Sequence, residues 1–317
     1  MRIGYNTWSM ATVPYETFIP GLSEIGFTAI AISVVPGYTI SARFVDNAAS
    51  LDRLSGADRA AIKRAFEERE LELPSVIGNQ SLVEDDSQRN AQAMQRLQKT
   101  IDLCVELCPA GQSVPTMNTG TAGHSGELEQ KRDMVVQRLG ELAEYARRRG
   151  VVVCIEPHVG GAVDTLERAE WIVSAIGSPS LRLDFDVSHF EVVGVPMRES
   201  VPRLGPLAGA AEIKDQHFRY CDAGESDPGW LVEGNGVGRA AAPDGRPVEY
   251  QFLLGGEGTF DLPEYLRLME AQGFSRPIAF EASVQCQARP GYDALREAQR
   301  IYDWMLAGWR TAGISLD

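Results

Sequence analysis

Val151–Gly161 reads V-V-V-C-I-E-P-H-V-G-G. Five apolar residues, the composition of a strand buried on both faces, run straight into a carboxylate, a proline and an imidazole. Side chains two apart in a strand share a face, so Glu156 and His158 lean the same way if extended geometry survives Pro157. Two ionisable groups therefore stand where this piece of core ends.

Outward from that stretch, short apolar runs recur with helical patterns between them. Besides Val151 to Ile155, the runs are Ile3 to Tyr5, Ala29 to Ser33, Leu73 to Ile77, Ser113 to Met117, Leu181 to Phe185, Ala208 to Ile213 and Pro277 to Phe280. Helical periodicity is clearest over Ser87 to Leu107, Glu127 to Arg149, Leu166 to Ile176, Asp261 to Gln272 and Tyr292 to Ala307. Gly26, Gly150, Gly177 and Gly273 follow helical runs and stand where a helix closes. Strand and helix alternating eight times predicts an α/β fold, a single (β/α)₈ barrel over residues 1–317. A doubly wound open sheet is disfavoured, because no strand is followed by a G-x-G-x-x-G turn. The fourth run contains Pro115, which a central strand tolerates poorly.

Residues 218–255 form a long insertion after the seventh strand, rich in Gly, Pro and Asp and with little periodicity. On a barrel it hangs over the catalytic face. Trp230, Leu231, Tyr250 and Phe252 suit it to a lid or a partner surface, and a plain surface loop is the competing reading.

With 30 basic against 44 acidic side chains, the formal charge of −14 repels phosphate backbones, and Arg147–Arg149 is explained as a helix end. Nucleic acid is therefore not an expected partner. The five cysteines include no C-x-x-C pair, and Cys154 lies inside the opening strand, as expected of a reducing compartment. Cys104 and Cys108 are one helical turn apart but have no nearby histidine to complete a metal site, so packing is their expected role. With neither a leader pattern nor a membrane span, a soluble cytoplasmic location is expected.

In a (β/α)₈ barrel chemistry collects at the C-terminal strand ends. Here strand five ends in Glu156 and His158, strand six in Asp186 and His189, strand seven in Glu212, Lys214 and Asp215, and strand eight in Glu281. Carboxylates converging on a confined mouth repel unless they are protonated or neutralised. A divalent cation is one solution, with oxygen-rich ligation suiting Mn²⁺ or Mg²⁺, and Zn²⁺ or Co²⁺ as alternatives. The other is a network of ion pairs through Lys214, Arg182 and the histidines. Asp184, deeper in the barrel, reads as structural and paired with Arg182, and His124 as a loop residue. Asp261 reads as a helix N-cap with Glu264 three residues on.

I-E-P-H at 155–158, D-V-S-H at 186–189, E-I-K-D at 212–215, G-E-G-T-F-D at 256–261 and Glu281 together resemble the xylose-isomerase-like (sugar phosphate isomerase/epimerase) TIM-barrel superfamily along nearly the whole chain. The resemblance implies a metal, Mn²⁺ first, held by Glu156, Asp186, Glu212 and Glu281. Glu212 departs from the pattern, since many relatives place histidine there; either the set is all carboxylate, or His217 or water replaces it. The implied chemistry is proton abstraction next to the carbonyl of a keto-sugar, giving isomerisation, epimerisation or elimination. His158, Glu156 and Glu281 are the catalytic candidates. His189, Lys214, His217, Asn118, Glu257 and Trp8 are the candidate substrate contacts. The E-x-H spacing of Glu156 and His158 also resembles metal-dependent C-glycoside deglycosidases, which act as lyases on 3-oxo-sugars with a small second subunit. A homo-oligomer and such a partner both stay open.

Three other readings compete less well. A metal-dependent endonuclease, as on the related fold of apurinic endonucleases, needs a histidine-rich multi-zinc site and a basic face, and this chain has four histidines. A non-catalytic carbohydrate-binding barrel would need no metal. Phosphorylated substrates are disfavoured by the lack of a glycine-rich anion cradle or an arginine cluster at the strand ends.

Overall fold

The computed structural model describes residues 1–221 and 228–316. In chain order the strands are β1 (Ile3–Asn6), β2 (Ala29–Ser33), β3 (Gly37–Ile40), β4 (Arg43–Asp46), β5 (Ser75–Ile77), β6 (Thr116–Gly120), β7 (Val153–Glu156), β8 (Leu181–Asp186), β9 (Ala208–Ile213), β10 (Asp215–Tyr220), β11 (Gly238–Ala241), β12 (Pro247–Leu253) and β13 (Ile278–Phe280). Eight of them close a parallel barrel in the order β1-β13-β9-β8-β7-β6-β5-β2. The predicted (β/α)₈ barrel is the observed fold.

Helices cover its outside: α1 (Tyr15–Ile25), α2 (Gly56–Glu68), α3 (Ser87–Leu107), α4 (Glu127–Arg147), α5 (Leu166–Ile176), α6 (Ser188–Glu191), α7 (Met197–Leu204), α8 (Leu262–Ala271), α9 (Val284–Gln287) and α10 (Ala294–Ala312). Their sequences explain them. α3 buries Met94, Leu97, Ile101, Cys104 and Leu107, spaced by three or four residues, so one stripe faces the barrel. Ser55 and Asp58 form a reciprocal capping box on α2, and Asp261 Oδ1 caps α8 by accepting from Glu264 N at 2.9 Å, as its sequence predicts. α5 ends at Gly177, whose φ of 61° is the left-handed conformation that lets the chain turn into β8. All five cysteines are free, and Cys104, Cys154 and Cys286 are buried. No helix among the described residues is long and apolar enough to cross a membrane.

The structure moves several expected boundaries. The fourth barrel strand is Thr116–Gly120 rather than 113–117, because Pro115 has no N–H to give the ladder; pairing with β5 begins at Ser75↔Thr116. Val151 and Val152 precede β7 rather than opening it. The Arg182–Asp184 pair does not form. A register shift falls between Leu183 and Asp184, and Arg182 donates instead to carbonyls at the start of β9, those of Ala208 at 3.3 Å and Pro206 at 2.6 Å. Asp184 points inward and accepts from Asn118 Nδ2 at 2.7 Å.

The described part of the insertion after β9 is ordered as an antiparallel sheet, β10-β12-β11, rather than an aperiodic loop. β10 leaves the barrel immediately after Lys214, and β12 returns antiparallel to it with His217 opposite Gln251 and Gln216 opposite Phe252. A second addition, the β3–β4 hairpin, turns through Ser41 and Ala42 at φ of 48° and 60°. Its non-glycine tip hides the usual hairpin signal.

Candidate active site

The C-terminal mouth of the barrel opens into a cavity of about 580 Å³. Glu156, His158, Lys214 and Glu281 supply its ionisable wall, and Trp8, Phe252 and Val284 its apolar one. Each acid arrives at a strand end with its orientation fixed locally. In D-V-S-H, Ser188 donates to Asp186 Oδ1 through its backbone N at 2.9 Å and its hydroxyl at 2.5 Å, which leaves Oδ2 to face the site. The same turn carries His189, whose Nε2 lies 3.1 Å from Glu156 Oε1 and 3.6 Å from Asp186 Oδ2.

Lys214 reaches into the middle of these groups. Its Nζ donates to Asp186 Oδ2 and lies 3.1 Å from Glu281 Oε1, 3.8 Å from Glu156 Oε1 and 3.4 Å from His189 Nε2. Burial works against this ammonium, but Asp186, Glu281 and Glu156 outweigh it and hold its pKa well above the ordinary lysine value. Burial also works against the Glu156 carboxylate, which the His189 hydrogen bond and Lys214 charge nonetheless keep below the usual range. Burial, with acidic neighbours, drives Asp184 and Glu212 the other way, well up. Burial also raises Glu281 at the mouth, against the opposing charge of Lys214.

His158 stands beside His189 with ring centroids 3.9 Å apart. Desolvation at the mouth and the adjacent His189 push its pKa down to about 4, although the residue remains open to the cavity, so the ring is neutral at pH 7. A neutral imidazole has one N–H. Nδ1 lies 2.9 Å from the Val159 carbonyl, an acceptor, so the proton sits on Nδ1 and Nε2 is the basic nitrogen.

Of the four carboxylates assigned to a metal, Glu156 and Asp186 converge. His189, assigned to substrate, joins them: Glu156, Asp186 and His189 each offer a ligand atom within 4.8 Å of the others. A Glu/Asp/His set is chemically suited to a divalent cation. Glu281 stands at the edge of this group. Glu212 lies deeper, accepting from Asn6 Nδ2 at 2.7 Å, and the same nitrogen donates to Glu281 Oε2 at 3.0 Å.

The other assigned contacts scatter. Trp8 lines the cavity, stacked on Tyr38 at 4.1 Å and 14°. Asn118 is buried beneath the site on Asp184. His217 lies on the added sheet, bonded to Gln251 Oε1 at 2.9 Å, and Glu257 is paired with Arg289 at 2.7 Å; neither lines the cavity. Two residues that sequence reasoning missed as site groups are Asn6, the donor to two carboxylates, and Phe252, which β12 brings to within 5.6 Å of Lys214 Nζ and 5.1 Å of the His189 ring. The position of Asn6 at the end of the first strand was the available signal.

Residues 21–305 match the family model described as xylose isomerase-like TIM barrel. A search of curated protein sequences finds no significant match. Solved structures agree with the fold. A D-psicose 3-epimerase is 12% identical with a TM-score of 0.72, covering 99% of this chain and 100% of its own. A 3-keto-D-glucoside 4-epimerase from E. coli is 14% identical with a TM-score of 0.68, covering 97% and 99%. A xylose isomerase-like TIM barrel protein from Mycobacterium smegmatis in complex with magnesium is 17% identical with a TM-score of 0.63, covering 100% and 98%. At these identities the likeness establishes architecture alone.

Proposed function

Because the chain belongs to the xylose isomerase-like TIM barrel family, we propose that it is a divalent-metal-dependent sugar isomerase or epimerase that removes a proton α to the carbonyl of a keto-sugar. The observation carrying this reading is the convergence of Glu156, Asp186 and His189 at the strand ends, with Glu156 and His158 lining the cavity above them. The names of two neighbours of like fold, both sugar epimerases, and the magnesium of a third support it. Glu156, Asp186 and His189 would hold the cation, which would supply Lewis-acid polarisation of the substrate carbonyl.

The chain's own residues do the rest. His158, with its Nδ1 proton committed to Val159, offers Nε2 as the base for the α-proton. Glu281 follows β13 and His158 follows β7, with β9 and β8 between those strands, so the two approach the cavity from different sides. Taking a proton on one face and returning it on the other needs such a pair. Glu281 is oriented for this by Asn6, whose Nδ2 donates to Oε2 at 3.0 Å.

A second reading, a lyase on a 3-oxo-glycoside, is favoured by the apolar wall. Trp8, Phe252 and Val284 face a cavity of about 580 Å³, which offers apolar surface for an aglycone beside the sugar ring. Elemental analysis of protein purified without chelator, followed by assays on free ketoses and on 3-oxo-glycosides with apolar aglycones, tests both. About one equivalent of Mn, Mg, Co or Zn, lost in Glu156→Gln/Asp186→Asn, is the expected result. A protein that neither carries nor takes up a divalent metal sinks both readings.

A further inference from the structure

The Lys214 ammonium occupies the point on which the metal donors converge. Asp186 Oδ2 is its hydrogen-bond acceptor, and His189 Nε2 and Glu156 Oε1 lie 3.4 and 3.8 Å away. Lys214 and Asp186 are 3% and 0% exposed, so water does little to screen a charge placed beside them. A divalent ion bound at the usual distance of about 2.0–2.2 Å from these donors would lie against Nζ. Two cations cannot share Asp186 Oδ2 in that space.

Removing the lysine without a replacement is equally unfavourable, because Glu156, Asp186 and Glu281 would then face one another with no cation among them. Each state of the site therefore needs one positive centre. The side chain also has somewhere to go: Lys214 lines the cavity of about 580 Å³ that Phe252 and Trp8 also line.

We infer that Lys214 is a built-in counter-ion that holds the metal-free site together and is expelled from the carboxylates into the substrate cavity when a divalent cation binds. The inference rests on the metal-dependent reading above. It makes the metal-free chain a folded protein and makes metal affinity the outcome of a competition with the chain's own ammonium. It also delivers a cation to the cavity only in the loaded state, where the oxygens of a substrate are the partners left to it.

The chain has four lysines, Lys63, Lys99, Lys131 and Lys214, so three serve as internal references in a labelling experiment on the wild-type protein. Acetylation by acetic anhydride, read by peptide mass spectrometry with and without saturating manganese(II) chloride, is expected to speed up at Lys214 by about tenfold or more and to leave the others unchanged. Calorimetry with manganese(II) on Lys214→Met is expected to show binding at least about tenfold tighter than wild type. Binding of one equivalent by the wild type with unchanged Lys214 labelling would overturn the inference and leave the metal reading standing. Binding by Lys214→Met alone would show that the lysine never yields, and would overturn it too. No binding by either protein would remove the metal reading and the inference with it.

Discussion

Asn6, at the end of β1, holds Glu281, at the end of β13, through a 3.0 Å hydrogen bond from its Nδ2 to Glu281 Oε2. The second hydrogen of that amide serves the buried Glu212 Oε1 at 2.7 Å, so one side chain sets the direction of two carboxyl groups. Asn6→Ala leaves both without their donor and is expected to cost about 1–3 kcal/mol. Asn6→Asp keeps the shape but turns a donor into a further acid, so its loss should be larger. Denaturant melts of the two variants decide this: if Asn6→Asp is as stable as Asn6→Ala, the amide does not organise these acids.

His158→Ala separates the base from the metal. The imidazole contacts His189 but is not one of the three converging donors, so metal content should stay at the wild-type level while turnover falls by about 10²–10⁴. The same variant should stop wash-out of the substrate α-proton in D₂O. Wash-out at the wild-type rate would transfer the base to another group, with Glu281 the next candidate.

Asp215 anchors the turn behind the site. Its Oδ1 accepts from Gln216 N and Phe260 N at 2.8 and 3.1 Å, and its Oδ2 from Gly256 N and Gly258 N, both at 2.8 Å. Asparagine keeps one acceptor oxygen and aims an NH₂ at two backbone donors, so Asp215→Asn should cost about 3 kcal/mol. Gly258→Ala tests the same turn from the other side, since a Cβ there would stand 2.3 Å from Asp215 Oδ1 and 2.5 Å from the Gln216 carbonyl. Thermal melts of both should fall well below wild type, and a neutral result for either would mean that the turn relaxes freely.

These cases show what the sequence could reveal. Position at the ends of single strands placed Glu156, Asp186 and Glu281 at the mouth, because barrel chemistry follows from strand ends alone. Cross-strand relationships were hidden. Nothing local to Asn6 says that β1 lies beside β13 and brings its amide to Glu281, and nothing local to Phe252 says that β12 folds back over Lys214. Arg182 misled for the opposite reason: its nearness in sequence to Asp184 suggested a pair, whereas its guanidinium reaches the carbonyls of Pro206 and Ala208 at the start of β9, and Asp184 takes Asn118 instead. His189 was legible as a site residue but not as a metal donor, since its reach toward Glu156 depends on the turn into α6.

Trp8 discriminates between the two substrate readings. It is fixed by its stack on Tyr38 and by the hydrogen bond from the Tyr38 hydroxyl to its carbonyl, so its ring is a preformed wall rather than an adaptable one. An apolar aglycone would gain from that wall in the ground state and the transition state alike, which is uniform binding. Trp8→Ala should therefore raise KM for a 3-oxo-glycoside by about tenfold with kcat little changed, and should do less to a small free ketose. Steady-state kinetics on the two substrate types reads this directly. An equal loss on both would mean that Trp8 packs against the sugar ring itself, and the apolar wall would then give no reason to prefer the lyase.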